Sequence, residues 1–364
     1  MSNLLALSSA KVGSWFQSDY LSARTLFLEM ASHSVNQISS RSWALPAHAE
    51  LSIDTRWIGN HDAETVVVIL SATHGVEGYC GSAVQSFLLH WLDQQDMSLP
   101  SDTAMLLVHS LNPWGMDWAR RCNEQGVDLN RNFIDFTDLP SPDKRYNSVL
   151  EALTSTDQRK QRLATLAMEM GQTVFDQLFS GGQYHCAWAP FYGGQSASFS
   201  HQVIDELIAH WKLEGRRLVV IDVHSGLGPW AHGELISDHP AGSAGARFAQ
   251  QLFGPAVAET QTGESCSVPK LGLLDYRWHQ LMQQRGCFLT LEFGSYGTDA
   301  LFEVLINEHL FWRDHPNPAK DDLHYQQHRL AMIKHFCPSD PFWQQAVLFK
   351  TWQVVTRALM AGAL

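Results

Sequence analysis

Apolar and polar positions along this chain fall into short, uninterrupted aliphatic runs that stop abruptly at polar corners. The clearest runs from Val66 to Gly78, VVVILSATHGVEG, where five large aliphatics lead into a small-residue turn carrying His74 and Glu77. Such a run reads as a strand buried on both faces that delivers the histidine and the glutamate to its carboxyl end. Arg217 to Ser225 (RLVVIDVHS) repeats the pattern and ends at His224; Cys287 to Gly294 (CFLTLEFG) repeats it with Glu292. Ala104 to Ser110 is a further buried strand, and Leu51 to Ile58 alternates as a half-buried one.

Helical spacing fills the intervals. Leu21, Leu26, Leu28 and Met30 predict an amphipathic first helix within 18–40, and Val84, Phe87, Leu88 and Trp91 place a helix over 82–92. Further helices are predicted over 148–178, 199–213, 271–284 and 300–312, with one more beyond Pro338. Strands alternating with helices predict an α/β fold, a mixed and mostly parallel sheet with helices on both faces. No repeat, low-complexity run or linker divides residues 1–364, so the expectation is one domain with its motifs between 66 and 300 and appended helices. Two polar stretches interrupt the alternation: 112–147, rich in Asn, Asp, Pro and Gly, and 180–198 (SGGQYHCAWAPFYGGQSAS). The first is a candidate functional loop and the second a flap or pocket wall, with Trp188, Phe191 and Tyr192 as candidate lining.

Composition narrows the partners. A formal net charge of -12 over 364 residues, without a large Lys/Arg cluster, argues against nucleic acid and anionic membrane surfaces. Six scattered cysteines with no C-x-x-C pair read as reduced thiols of a cytoplasmic protein. The opening MSNLLALSSAKVGSW has no basic n-region or sustained apolar run, and no later window offers eighteen uncharged apolar residues, so neither export nor a membrane span is expected. The oligomeric state is left open.

The chemistry gathers at the strand ends. In an open α/β sheet ligands bind beyond the carboxyl ends of the strands, where loops diverge and side chains are released from packing. Two histidines and a carboxylate, His74, Glu77 and His224, match the ligand set of a catalytic zinc with one open position, and Glu292 is then free to act as general base. The His-x-x-Glu spacing alone is not distinctive: it recurs at His61 to Glu64 in the polar stretch GNHDAE, which reads as a solvated turn. Asp222, two residues before His224, is a candidate to orient it. In the loop NPWGMDWARRCNEQGVDLNRNF, Arg121 can neutralise a developing oxyanion, while Asn130 and Arg131 can grip a substrate carboxylate. The plainer readings are a surface Arg131 paired with Asp128 or Asp135, and a Glu292 held in a structural ion pair.

At these residues the chain resembles the zinc carboxypeptidase superfamily, including its succinylglutamate desuccinylase and aspartoacylase branch. The resemblance rests on HGVE at 74–77, NPWG at 112–115, RRCN at 120–123, GVDLNRNF at 126–133, DVHSG at 222–226 and LEFG at 291–294, in the family's order. It implies a zinc carboxypeptidase-like (phosphorylase/hydrolase-like) fold. It further implies zinc held by His74, Glu77 and His224, Arg121 as oxyanion stabiliser, Asn130 and Arg131 as carboxylate binders, and Glu292 as general base. The implied activity is hydrolysis of a small peptide or N-acyl amino acid beside a free carboxylate. NPWG departs from the NPDG of digestive-type members, and either Tyr276 or Tyr192 stands where a substrate-capping tyrosine is sought. Two alternatives are a non-catalytic carboxylate-binding module and a two-metal hydrolase drawing on His109, His185, His232, His239, Asp222 or Glu234. A serine hydrolase is disfavoured because no G-x-S-x-G elbow occurs.

Overall fold

The computed structural model describes residues 9–30, 36–94, 98–155, 157–260 and 270–363. Its centre is an eight-stranded sheet: β1 (Ile38–Leu45), β2 (His48–Ile58), β3 (Thr65–Leu70), β4 (Thr103–His109), β5 (Arg217–Ser225), β6 (Gly233–Ser237), β7 (Val257–Glu259) and β8 (Gly286–Phe293). The spatial order is β1-β2-β4-β3-β5-β8-β6-β7. The four central strands β4, β3, β5 and β8 run parallel, while β2 and β6 pair antiparallel with their central neighbours.

Among the described residues thirteen α-helices surround the sheet: α1 (Ser9–Gly13), α2 (Tyr20–Glu29), α3 (Gly78–Gln94), α4 (Pro113–Asp117), α5 (Tyr146–Leu153), α6 (Arg159–Met170), α7 (Gln172–Ser180), α8 (Phe199–His210), α9 (Ala244–Phe253), α10 (Leu274–Met282), α11 (Thr298–Asp314), α12 (Leu323–Phe336) and α13 (Pro341–Ala358). β3 shows why both faces must be covered. Val67 and Ile69 enter one hydrophobic cluster with α3 and α13, while Val66, Val68 and Leu70 enter a second with α8 and α10. A strand buried on both faces needs no alternation, which is the physical content of the VVVIL run.

This is the α/β architecture anticipated from the alternation, and β3, β4, β5 and β8 lie on the four predicted apolar runs. Elsewhere the boundaries move. The helix expected within 18–40 ends at Glu29, and from Ile38 the chain is strand β1, pairing antiparallel with β2. The helical region 148–178 is three helices, α5 to α7, broken between the last two at Gly171, where φ is 86°. The tail holds two helices, α12 and α13; β6, α9 and β7 had no counterpart in the sequence reading. Among the described residues no helix is long and apolar enough to cross a membrane. The five described cysteines are free thiols, and Cys266 lies outside the described residues.

The topology prepares a crevice. From β3 the chain passes to β4 on one side, whereas β5 and then β8 lie on the other, so loops diverge above the carboxyl ends of β3 and β5. The turn after β3 is then clamped by the motifs of the next loop. Gly75 N–H donates to the Arg121 carbonyl at 3.1 Å, Val76 N–H to that of Arg120 at 2.8 Å, and Asn112 Nδ2 to that of Arg121 at 3.2 Å. Asn112 also caps α4 by accepting from Gly115 N–H at 2.9 Å. Gly75 and Gly115 make this approach possible, since a Cβ on Gly75 would lie 2.1 Å from the Gly115 carbonyl carbon. HGVE, NPWG and RRCN are thus one packed corner.

Candidate active site

That corner turns His74 and Glu77 back over the sheet edge. Glu77 sits in a single turn of 3-10 helix, Gly75–Glu77, directly before α3. His224 lies next to last on β5, in parallel register with Glu292 on β8, so the two are neighbours on the same edge. His74 Nδ1 is 2.8 Å from Glu77 Oε1, His224 Nδ1 is 2.8 Å from Glu77 Oε2, and the two Nδ1 atoms are 3.1 Å apart. All three side chains are buried. Among the described residues they form the one group of three or more whose ligand atoms lie within 4.8 Å of one another.

The far sides of the rings fix which nitrogen faces inward. Asp222 can only accept, so His224 Nε2 donates to its Oδ2 at 2.8 Å and Nδ1 is left as the nitrogen that faces Glu77. Thr73 Oγ1 donates to the same carboxylate at 2.9 Å. On the other ring, His74 Nε2 lies 3.2 Å from Asp128 Oδ1. Asp128 also accepts from Arg121 Nε at 2.8 Å and from Asn130 N–H at 3.0 Å. One buried carboxylate therefore ties Arg121 to the DLNRNF turn and stands beside His74, whose Nε2 makes no hydrogen bond among the described residues.

The charge states follow from these contacts. Burial alone would raise the carboxyl groups of Glu77 and Asp128, but it is outweighed, by His74 and His224 for Glu77 and by Arg121 and His74 for Asp128. Both stay ionised, far below the usual carboxylate range. Burial pulls His224 down, yet Asp222 and Glu77 together hold it well above its ordinary value. Glu292 behaves oppositely: burial, then the nearby Glu77 charge, push it up to about 8. Its Oε1 accepts from Leu227 N–H at 3.1 Å. A bound divalent cation would pull it back toward ionisation.

A cavity of about 580 Å³ opens over these groups, and His74, Glu77, Arg121, Asn130, Arg131, His224 and Glu292 all line it. The structure thus brings these seven candidate residues to one cleft. Arg131 is 1% exposed and not the surface residue of the plainer reading. Its Nε–H and Nη2–H donate to the Ser180 carbonyl at 3.3 and 2.7 Å, and Nη1–H to the Asn130 carbonyl at 2.6 Å. Of about five guanidinium N–H groups these contacts engage three, leaving two for a ligand. Burial lowers the Arg131 guanidinium to about 10, still charged near neutrality. The Asn130 side-chain oxygen accepts from Leu274 N–H at 2.9 Å, anchoring the turn to α10.

Some groups were not predicted. Asp128 was weighed as a partner for Arg131 and instead serves Arg121 and His74; its place in GVDLNRNF was the available signal. Phe191 lies beneath both arginines, each guanidinium carbon 5.3 Å from its ring centroid. The 180–198 stretch is a fixed wall: Asn132 Nδ2 donates to the carbonyls of Gly193 and Ser196, and Tyr184 Oη to that of Arg131. Of Trp188, Phe191 and Tyr192 only Phe191 lines the cavity, and of the candidate capping tyrosines Tyr276 donates to the Lys270 carbonyl and neither is in the lining.

The sequence profile of the family described as "Protein of unknown function (DUF2817)" matches residues 16–350. The chain belongs to this family. No curated protein matches the sequence. Among solved structures, carboxypeptidase A from Helicoverpa armigera is similar over 95% of this chain and 73% of its own, at 16% identity and a TM-score of 0.55. Thrombin activatable fibrinolysis inhibitor is similar over 79% of this chain and 71% of its own, at 9% identity and a TM-score of 0.50. Succinylglutamate desuccinylase from Chromobacterium violaceum shares 15% identity over 82% of this chain and 76% of its own, with a TM-score of only 0.38. The DUF2817 chain therefore has the zinc carboxypeptidase-like α/β fold that its motifs resemble.

Proposed function

We propose that this protein is a zinc-dependent hydrolase that cleaves a peptide or N-acyl amino acid amide bond beside a free carboxylate. The observation that carries this reading is the convergence of two imidazole Nδ1 atoms and a carboxylate in a cavity also lined by Glu292, Arg121, Asn130 and Arg131. Three electron-pair donors buried in mutual contact repel one another unless a cation or a shared proton lies between them. His74, Glu77 and His224 are the mixed imidazole and carboxylate set that suits zinc, with Asp222 hydrogen-bonded to the outer nitrogen of His224 and Asp128 3.2 Å from that of His74. Zinc bound there supplies Lewis-acid polarisation of the scissile carbonyl and a lowered pKa for the attacking water.

The remaining steps belong to the chain's own residues. Glu292 takes a proton from the attacking water at its carboxylate as the oxygen bonds to the carbonyl carbon. Arg121, held by Asp128, offers its remaining N–H groups to the oxyanion that develops. As the C–N bond breaks, Glu292 returns the proton to the departing nitrogen. Arg131 and Asn130 hold the substrate carboxylate and so fix which bond lies over the metal group.

Turnover of a panel of N-acyl amino acids and short peptides, by the zinc-loaded and the chelated protein, tests the reading. Metal-dependent release of a free amino acid is the expected result; inactivity of the zinc-loaded protein across the panel would overturn it. Arg131→Ala should weaken hydrolysis of a substrate with a free carboxylate far more than that of its amide. Loss of a charged pair at a partly dry site costs roughly 2–5 kcal/mol, so the discrimination in kcat/KM should exceed about tenfold. Equal losses on acid and amide would remove the carboxylate grip. Asp222→Asn should weaken zinc affinity by about 10–100-fold, because the amide no longer holds His224 in the tautomer that presents Nδ1. Competition with a zinc chelator reads this directly, and unchanged affinity would make Asp222 a packing residue.

A further inference from the structure

The residues that line the cavity fall into two groups of different chemistry. One comprises Ile236 of β6, Thr290 of β8, Asp238 and Lys270. The Lys270 amine there, pushed down to about 8 by burial and then by Arg131, belongs to the same charged neighbourhood as the carboxylate grip. The other part, the lobe bounded by α6, α7 and the first turns of α11, has an aromatic wall and is also lined by Arg159, Lys160, Asp176, Asp299 and Glu303. Phe175 stacks on Phe179 with centroids 5.8 Å apart, and Phe179 meets Phe191 at 5.6 Å and Phe302 at 5.3 Å. Phe191 continues the ladder to Arg121, 5.3 Å from its ring. Leu163 of α6 and Leu305 of α11 complete the lobe. The two helices are tied together across the cleft, Arg159 donating to Asn307 Oδ1 at 2.6 Å and Lys160 pairing with Glu303 at 2.8 Å.

We propose that this phenylalanine-walled lobe receives the acyl side of the substrate, and that the preferred acyl group is a medium-chain aliphatic or aromatic one and not a short dicarboxylic acid. The assignment of sides rests on the hydrolase reading above. Arg131 and its charged neighbours take the amino acid half, and the lobe adjoining the oxyanion arginine is left for the group on the other side of the carbonyl. An apolar group gains by burial against these rings, whereas a second carboxylate would lose hydration against them and meet Asp176, Asp299 and Glu303, with Lys160 already paired to Glu303 and Arg159 bonded to Asn307.

The test compares N-acetyl, N-succinyl, N-hexanoyl and N-phenylacetyl derivatives of one amino acid hydrolysed by the zinc-loaded protein. Binding of the same four compounds to the Glu292→Gln protein is followed by calorimetry. Each fully buried methylene is worth about fourfold, so hexanoyl and phenylacetyl should exceed acetyl by at least about tenfold in kcat/KM and in Kd, with succinyl no better than acetyl. Phe302→Ser and Leu163→Ser, both at half-buried positions, should each reduce the hexanoyl-to-acetyl ratio at least about fivefold; either folded variant suffices. Turnover that is flat in chain length, or greatest for succinyl, overturns the acyl assignment while the hydrolase reading stands. Absence of all turnover, with Kd still following acyl length and the two variants still flattening it, sinks the hydrolase reading and leaves the apolar lobe as a binding site.

Discussion

Replacing Glu292 by Gln should lower kcat by a factor of about 10² or more while leaving bound zinc in place, because transfer of a proton by a positioned base contributes at least that much. The substitution is nearly isosteric, and a glutamine oxygen can still accept from Leu227 N–H as Glu292 Oε1 does. What it removes is the capacity to take a proton. The geometry isolates that capacity: Glu292 stands beside His224 in the β5–β8 register but is not one of the three converging ligand groups. Its raised pKa has the same origin, burial close to the ionised Glu77. Elemental analysis and steady-state kinetics on one preparation separate the outcomes. Full zinc with near wild-type turnover would make Glu292 a structural carboxylate; lost zinc would make it part of the ligand set.

Still larger is the effect expected of His74→Ala, which should abolish both stoichiometric zinc and activity. The imidazole supplies one of three donors, and its removal leaves Glu77 and Asp128 without the partner that lies between them. The cluster holds the carboxylates of Glu77, Asp128 and Asp222, with the Glu292 carboxyl beside them, against the permanent cations Arg121 and Arg131, so a divalent ion is electrostatically favoured. Binding should also stabilise the fold: a ligand at a thousand times its dissociation constant adds about 4 kcal/mol. The wild-type Tm should therefore rise with added zinc, and that of His74→Ala should not. Wild-type protein that binds no zinc, and whose Tm ignores it, would remove the metal from this site.

How much of this was legible in the chain depends on the range of the interaction concerned. β3, β5 and β8 could be read because a doubly covered strand must be apolar at every position, a demand met by the run itself. β1 could not: Ser39, Arg41 and Ser42 are polar, and strand conformation there is imposed by pairing with β2. For the same reason the range of the expected first helix, 18–40, runs into the start of β1, and 41–45 carries no strand signal. The short β6 and the three-residue β7 exist only as additions to β8 and to each other. α12 presents little amphipathic contrast, and its place is set by packing against α11 and the turn after β3.

Sequence by itself determined the chemical inventory and the corners that expose it. The aliphatic runs, the glycines at 75 and 115, and the order of the HGVE, DLNRNF, DVHSG and LEFG stretches are local properties, and they specify where a strand must stop and which side chain it presents. Tertiary structure alone decided which of those ends meet. The contact of His224 with Glu77, the placing of Glu292 one strand away, and the double duty of Asp128 depend on strand order and register, which no local pattern encodes. The aromatic lobe depends on them still more. Its rings come from α7, α11 and the 180–198 wall, and in sequence each reads as an ordinary core residue until the sheet brings their helices to one edge, where the folding of the long loops leaves a space between them.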